Sequence, residues 1–127
     1  MKTDHTSLLT GKGHEIIELL QGLDVPRTEA ICIACLVCGK ELTSQNIEQA
    51  SGLRQPEVSI AMRPLRERKW IEERNEKKNS DKGRPVKYYT LVVPFEQIVG
   101  TFENGVLKRN REIAEALEHL KELSANS

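Results

Sequence analysis

The sequence predicts a mainly helical fold that carries one small β-hairpin. Helical spacing of apolar residues dominates the chain, a glycine turn at 51–53 separates two short helical patterns, and a polar segment at 77–85 separates two short β-type runs. The 127 residues are 38% hydrophobic and 30% charged, which suits one soluble domain with a core. No apolar run approaches the roughly 20 residues that span a bilayer, so no membrane association is expected.

The N-terminus has no apolar run of the kind found in a signal peptide. Three cysteines, an odd number, fit a reducing compartment better than a secreted protein. The sequence therefore predicts a cytoplasmic location.

Charge is balanced over the whole chain but not along it. Nineteen basic residues match nineteen acidic ones, yet between Arg54 and Thr90 eleven basic residues stand against six acids, a net charge of +5. Salt screens charges beyond about 10 Å at 0.1 M, so a local basic patch can bind phosphate on a neutral protein.

The first third of the chain predicts two helices. Residues 8–21 carry an amphipathic pattern that Gly22 ends, and residues 28–38 are apolar almost all round, which indicates a buried central helix ended by Gly39. Lys40 to Leu42 leave room for one short strand at most.

The middle of the chain predicts two helices joined by a sharp corner. Thr43 is a suitable N-cap for a helix through Ala50, and Gly52 supplies the positive φ of the turn. A second helix follows from about Gln55 to Lys69, with a buried stripe at Val58, Ala61, Met62 and Leu65. Pro64 removes a backbone donor at a cost of about 3 kcal/mol, so we expect a kink, or a break and restart, near Arg63.

The remaining residues predict a hairpin and a long helix. A strand begins at Trp70-Ile71, and 86–93 forms its antiparallel partner. From Phe95 to about Leu123 apolar residues recur at steps of three and four, although Arg109 interrupts this seam and two glycines loosen its first half.

These patterns are those of a helix-turn-helix followed by a wing. A recognition helix needs short polar side chains near its N-terminus, where it enters the major groove. Gln pairs with adenine, Arg with guanine, Glu accepts from cytosine, and an apolar side chain touches the thymine methyl group. The candidate DNA-binding residues of this part are Thr43, Arg54, Gln55, Glu57, Ser59, Ile60 and Arg63. The alternative is that they form only the solvated face of a surface helix.

The basic hairpin loop supplies the rest of the predicted interface. Arg84 between Gly83 and Pro85 suits a narrow minor groove. Lys77, Lys78, Lys82 and Lys87 are candidates for phosphate contacts. A solvated charge run is the alternative for this loop, and its position after a recognition helix favours DNA.

Residues 27–91 resemble the winged helix-turn-helix domain of archaeal and bacterial transcription regulators, nearest to the MarR-like, TrmB-like and ArsR-like groups, of archaeal type. The stretches 53–59 and 65–71 resemble their recognition helix and the approach to the wing, and 83–89 is similar to wing sequences of archaeal members. The resemblance implies a homodimer joined by helices outside the winged domain.

Cys32, Cys35 and Cys38 are spaced by three on one predicted helix and lie within about 120° of each other. ArsR-like proteins sense metals through cysteines, so metal or redox sensing is one alternative. The run lacks the flexible knuckle of structural zinc sites and an evident fourth ligand, which favours packing in the core. No catalytic set is evident, so neither an enzyme nor a cofactor is predicted.

The sequence thus predicts an N-terminal helix (1–25), a winged helix-turn-helix DNA-binding domain (26–93) and a C-terminal dimerisation helix (94–127). The predicted function is sequence-specific binding of double-stranded DNA by a homodimeric transcription regulator, and any effector is expected to be small, with its identity left open. Alternatives are a winged-helix protein-interaction adaptor or a cysteine-based sensing repressor. The predicted dimerisation residues are Phe102, Val106, Ile113, Ala116, Leu117, Leu120 and Leu123.

Overall fold

The computed structural model describes residues 9–76 and 86–126 and divides the chain after Pro94 into an N-terminal unit and a C-terminal helix. The N-terminal unit contains α1 (Gly11–Gly22), α2 (Arg27–Gly39), β1 (Glu41–Thr43), α3 (Ser44–Ser51), α4 (Gln55–Glu67), β2 (Ile71–Glu76) and β3 (Val86–Leu91). The C-terminal unit is one helix, α5 (Phe95–Ala125).

Helix α2 is the centre of the N-terminal unit. Its residues from Ala30 to Leu36 are all buried, and α1, α3 and α4 contact it. A helix without a polar face is stable only where neighbours cover it on all sides, and the prediction of a central helix is confirmed. Its end approaches β1 closely, since a Cβ at Gly39 would lie 2.8 Å from Leu42 Cδ2. Glycine therefore lets the chain reverse directly into the strand.

The corner between α3 and α4 forms as the sequence predicts. Thr43 Oγ1 accepts a hydrogen bond from the Asn46 amide, and Asn46 Oδ1 accepts one from the Thr43 amide, both at 3.0 Å. This reciprocal pair satisfies amides that the first turn of a helix leaves without partners. Gly52 has φ +81°, the left-handed conformation that glycine adopts at little cost.

Helix α4 carries the predicted buried stripe, and Val58, Ala61, Met62 and Leu65 are at most 2% exposed. Helix α4 continues through Pro64 to Glu67, so the break and restart near Arg63 is wrong, and the alternative of a kink stays a prediction. The stripe lies on both sides of the proline, so packing against the core holds the last turn in place despite the missing amide. The Pro64 carbonyl still accepts a hydrogen bond from the Arg68 amide at 3.0 Å.

The β-structure is larger than a two-stranded wing. Three antiparallel strands lie in the order β1-β3-β2. Leu42 of β1 is opposite Tyr89 of β3, and Ile71 of β2 is opposite Leu91. Tyr89 of β3 is buried opposite Leu42 of β1, so the added strand β1 anchors the β2–β3 hairpin to the helical core. The loop at 77–85 lies outside the described residues.

Helix α5 differs from the other helices in its exposure. It is continuous over 31 residues and passes through both Gly100 and Gly105. Ile98 is its one buried residue among those described, and 107–126 are exposed throughout. Over the described residues, no helix combines the length and apolarity needed to cross a membrane.

Candidate nucleic-acid interface

The exposed face of α4 is the first part of the candidate interface. Gln55 and Arg63 are exposed, Ser59 is half-buried, and Ile60 is 63% exposed. Burial of the opposite stripe fixes the rotation of α4, so these four side chains point away from the core as the sequence predicts.

Arg54 and Glu57 form the start of α4. Glu57 Oε1 accepts a hydrogen bond from the Arg54 amide at 3.0 Å. This contact satisfies an otherwise unpaired amide, and the carboxylate lies at the positive end of the helix dipole. The sequence assigned Glu57 to base contacts, whereas the structure gives one of its oxygens a structural partner.

A shallow cleft brings together residues that lie far apart in the sequence. Thr43, Ser44 and Gln45 at the start of α3 line it together with Gln55 of α4 and Lys87 of β3. Thr43, Gln55 and Lys87 were predicted separately, and they share this one surface. Ser44 and Gln45 also line the cleft, and the sequence analysis did not single them out. The signal for them was their position directly after a good N-cap, since the first helix of a helix-turn-helix motif crosses the backbone of bound DNA.

Ion pairs on the sheet neutralise part of the basic segment. Glu73 binds both Arg66 at 2.6 Å and Lys87 at 3.3 Å, while Arg74 binds Glu41 at 3.2 Å and also pairs with Glu76. Lys87 nevertheless keeps 42% of its side chain exposed. Exposed pairs of this kind contribute only about 0–1 kcal/mol, so a phosphate can compete for the lysine.

Arg74 is held more firmly than Lys87. Hydrogen bonds from Thr90 and Arg74 lower the pKa of Glu41, and those to Glu41 and Glu76 raise the pKa of Arg74. The Arg74 guanidinium also lies 4.6 Å from the centroid of the Tyr88 ring. Such cation–π contacts add to the ion pairs in fixing the side chain on the sheet.

The charge of the basic segment divides unequally between its parts. In the described residues between Arg54 and Thr90, seven basic residues stand against five acids, a net charge of +2. The loop at 77–85 has four basic residues and one acid, a net charge of +3. The predicted contacts of Lys77, Lys78, Lys82 and Arg84 all lie in this loop, outside the described residues.

The three cysteines lie on α2. Cys32 and Cys35 are fully buried, and Cys38 is half-buried. Burial, with a smaller effect of neighbouring groups, raises the pKa of both buried thiols to about 12. A thiol that stays protonated is a poor nucleophile and metal ligand. Within 9–76 and 86–126, no three His, Cys, Asp or Glu side chains are grouped to hold a metal ion.

The element order and the three-stranded sheet define a winged helix-turn-helix fold, with α3 and α4 as the helix-turn-helix. A solved structure of TrmBL2, described as an archaeal chromatin protein with a novel mode of DNA binding, is similar to this chain with a TM-score of 0.59 and 22% sequence identity. The similarity covers 87% of this chain and 39% of TrmBL2, so the chain spans well under half the length of that neighbour. No protein-family model matches the sequence. No curated protein matches it either.

Proposed function

We propose that this chain is a homodimeric transcription regulator that binds double-stranded DNA sequence-specifically, with α4 in the major groove and the loop at 77–85 at the minor groove. The observation that carries the proposal is the outward-facing row Gln55, Ser59, Ile60 and Arg63 on the second helix of a helix-turn-helix. The likeness to TrmBL2, whose description includes DNA binding, supports the proposal by analogy of fold.

Each residue of the row has a distinct role in this proposal. Gln55 pairs with an adenine edge, Arg63 with the O6 and N7 atoms of guanine, and Ile60 packs on a thymine methyl group. Ser59 donates to or accepts from a base or a bridging water. Glu57 accepts from a cytosine amino group through the oxygen that does not cap α4.

Phosphate contacts position the reading helix without specifying sequence. Thr43 and Lys87 line the cleft beside Gln55, and Arg54 precedes α4, so these three side chains flank the base-reading row. Lys77, Lys78 and Lys82 add phosphate contacts from the loop, and Arg84 enters the minor groove.

The homodimer forms through α5 in this proposal. This helix carries an apolar seam whose C-terminal part, from Ile113 to Leu123, is exposed. A seam at steps of three and four is the pattern by which helices pair in coiled coils. The residues that form the contact are Phe102, Val106, Ile113, Ala116, Leu117, Leu120 and Leu123.

Three arginine or lysine variants test the DNA-binding proposal. A preferred site is first selected from a pool of random duplexes, and binding to it and to a scrambled duplex is then measured by fluorescence anisotropy at several salt concentrations. Arg63→Ala is expected to weaken the preferred duplex by roughly 5- to 150-fold and the scrambled duplex much less. Arg84→Ala is expected to weaken both duplexes and to reduce the salt slope by about 0.9.

Lys12→Ala is the charge-matched control, since Lys12 is an exposed residue of α1, outside the proposed interface. It is expected to change neither affinity by more than about twofold. The DNA-binding proposal fails if Arg63→Ala and Arg84→Ala both behave like this control, and the adaptor alternative then gains support.

A further inference from the structure

The outward-facing row of α4 extends beyond the residues proposed above. It includes Gln55, Ser59 and Arg63 at steps of four, and the helix continues through Pro64 for one more turn. Arg66 lies in that turn and is exposed, with 43% of its side chain open to solvent. At 3.6 residues per turn, Arg66 lies within about 20° of both Gln55 and Ser59 around the helix axis. The row therefore gains a second arginine on the far side of the proline.

Glu73 of β2 holds the Arg66 side chain without occupying all of its donors. Arg66 Nη1 donates to Glu73 Oε1 at 2.6 Å. An arginine has five N–H donors in a planar fork, so the other donors can bind a second acceptor while this hydrogen bond persists. Because the Glu73 side chain is only 22% exposed, the pair restricts the orientation of the guanidinium.

The same carboxylate joins Arg66 to the proposed interface. Glu73 Oε2 lies 3.3 Å from Lys87 Nζ, and Lys87 lines the shallow cleft beside Gln55. Two cations and one carboxylate give these three side chains a net charge of +1. The group therefore still attracts an anion after its internal pairing.

We infer that Arg66 binds a phosphate of the DNA backbone, in addition to the contacts proposed above. This inference rests on the proposed function and deepens it. Arg66 follows Gln55 by 11 residues, or about 16 Å along the helix axis. The major groove is only about 12 Å wide and 8.5 Å deep. When the first turn of α4 contacts base edges, Arg66 lies beyond them, at the level of the backbone, where the available acceptors are phosphate oxygens.

The competing interpretation is an ion pair that only stabilises the fold by joining α4 to β2. In that case Arg66→Ala and Glu73→Ala remove the same contact, and their effects on DNA binding have the same sign. If Arg66 binds phosphate, its loss weakens DNA binding. Loss of Glu73 then removes a competing negative charge from Arg66 and Lys87, and DNA binding becomes tighter.

Fluorescence anisotropy of the full chain with the preferred and scrambled duplexes, at several salt concentrations, tests this difference in sign. Arg66→Ala is expected to weaken both duplexes by the same factor, about tenfold, because a phosphate contact does not depend on sequence. It is also expected to reduce the slope of log affinity against log salt by about 0.9. Glu73→Ala is expected to tighten both duplexes by roughly 2- to 5-fold.

Each variant has a matched control. Arg27→Ala removes an exposed arginine at the start of α2, outside the proposed interface. Glu72→Ala removes an exposed acid next to Glu73 on β2, and neighbouring side chains of a strand point to opposite faces of the sheet. Each control is expected to change either affinity by less than about twofold.

The outcomes separate this inference from the proposed function. A wild-type chain that binds neither duplex overturns both. If the wild-type chain binds DNA and Arg66→Ala behaves like Arg27→Ala, only the phosphate contact is overturned. A loss confined to the preferred duplex would assign Arg66 to a base instead. Equal weakening by Arg66→Ala and Glu73→Ala, with an unchanged salt slope, would assign the pair to the fold. Either result overturns the inference, whereas Arg63→Ala and Arg84→Ala still decide the proposed function.

Discussion

Helices α4 and α5 carry the same kind of apolar periodicity, but within the described residues only α4 has its whole apolar stripe buried. The stripe of α4 is at most 2% exposed, whereas the seam of α5 at Ile113, Leu117, Leu120 and Leu123 is more than half exposed. Periodicity therefore predicts that a helix has an apolar face, and it does not tell whether the covering partner belongs to the same chain. Four measurements test this difference between the two helices, in order of decreasing expected effect.

The reactivity of the cysteine thiols measures how well the core of the N-terminal unit excludes solvent and reagents. Burial raises the pKa of Cys32 and Cys35 from an ordinary value of 9.0 to about 12, which reduces the thiolate fraction at pH 8 roughly a thousandfold. Reaction of the native protein with a chromogenic disulfide is expected to be at least that much slower for these two thiols than after unfolding in guanidinium. Rapid reaction of all three native thiols would contradict a closed core and revive redox sensing.

The same leucine-to-alanine substitution, made once in α4 and once in α5, compares the two helices directly. Leu65→Ala empties a buried position and is expected to lower the free energy of unfolding by about 2–5 kcal/mol. Leu120→Ala, measured below the dimer dissociation constant, is expected to change it by less than about 0.5 kcal/mol, because its side chain is already solvated. Urea unfolding followed by circular dichroism gives both values. Equal effects at the two positions would mean that α5 is covered within its own chain.

Alanine substitutions at two separate threonines test the N-cap of α3 in the N-terminal unit. Thr43→Ala removes the acceptor of the Asn46 amide and is expected to cost about 1 kcal/mol in chemical unfolding. Thr101→Ala on α5 is the matched control, since the Thr101 hydroxyl only donates to the Gln97 carbonyl within the helix. Its expected effect is near zero or slightly stabilising, because alanine is the better helix former. A cost at Thr101 as large as that at Thr43 would refute the assigned cap.

Glycine substitutions at two separate lysines test backbone strain, for which the smallest effect is expected. Lys69 has φ +63° between α4 and β2, a conformation that costs a side chain more than it costs glycine. Lys69→Gly is expected to stabilise the chain by up to about 1 kcal/mol, seen as a higher melting temperature. Lys121→Gly within α5 is expected to cost about 1 kcal/mol. Destabilisation by both changes would show that the Lys69 side chain contributes more than its strain.

The sequence predicted those parts of the fold that depend on neighbours along the chain. The burial of α2, the stripe of α4, the cap at Thr43 and the turn at Gly52 all follow from local spacing and chemistry, and the structure confirms them. It also predicted which side chains of α4 face outward. The proposal that they contact DNA remains to be tested.

Other features depend on pairing across long separations. A three-residue strand has too little periodicity to predict that β1 joins β3, because its partner Tyr89 lies 47 positions after Leu42. The continuation of α4 through Pro64 depends on core packing, which a local proline penalty does not include. The contact of Glu73 with Lys87 depends on the register of the hairpin, so the sequence alone did not show that this lysine is already paired.

The ion pair of Glu73 with Lys87 bears on how the proposed complex responds to salt. A solvent-exposed lysine without an ion-pair partner releases a condensed cation from DNA when it binds a phosphate. Such a contact contributes fully to the salt dependence of the affinity. In the proposed complex Lys87 would exchange a carboxylate of its own protein for the phosphate, and Glu73 would retain Arg66. The Glu73 carboxylate would then act as a counterion within the protein that competes with every DNA sequence equally. Under the proposed function it would lower indiscriminate attraction to the DNA backbone and leave base contacts from α4 a larger share of the binding energy.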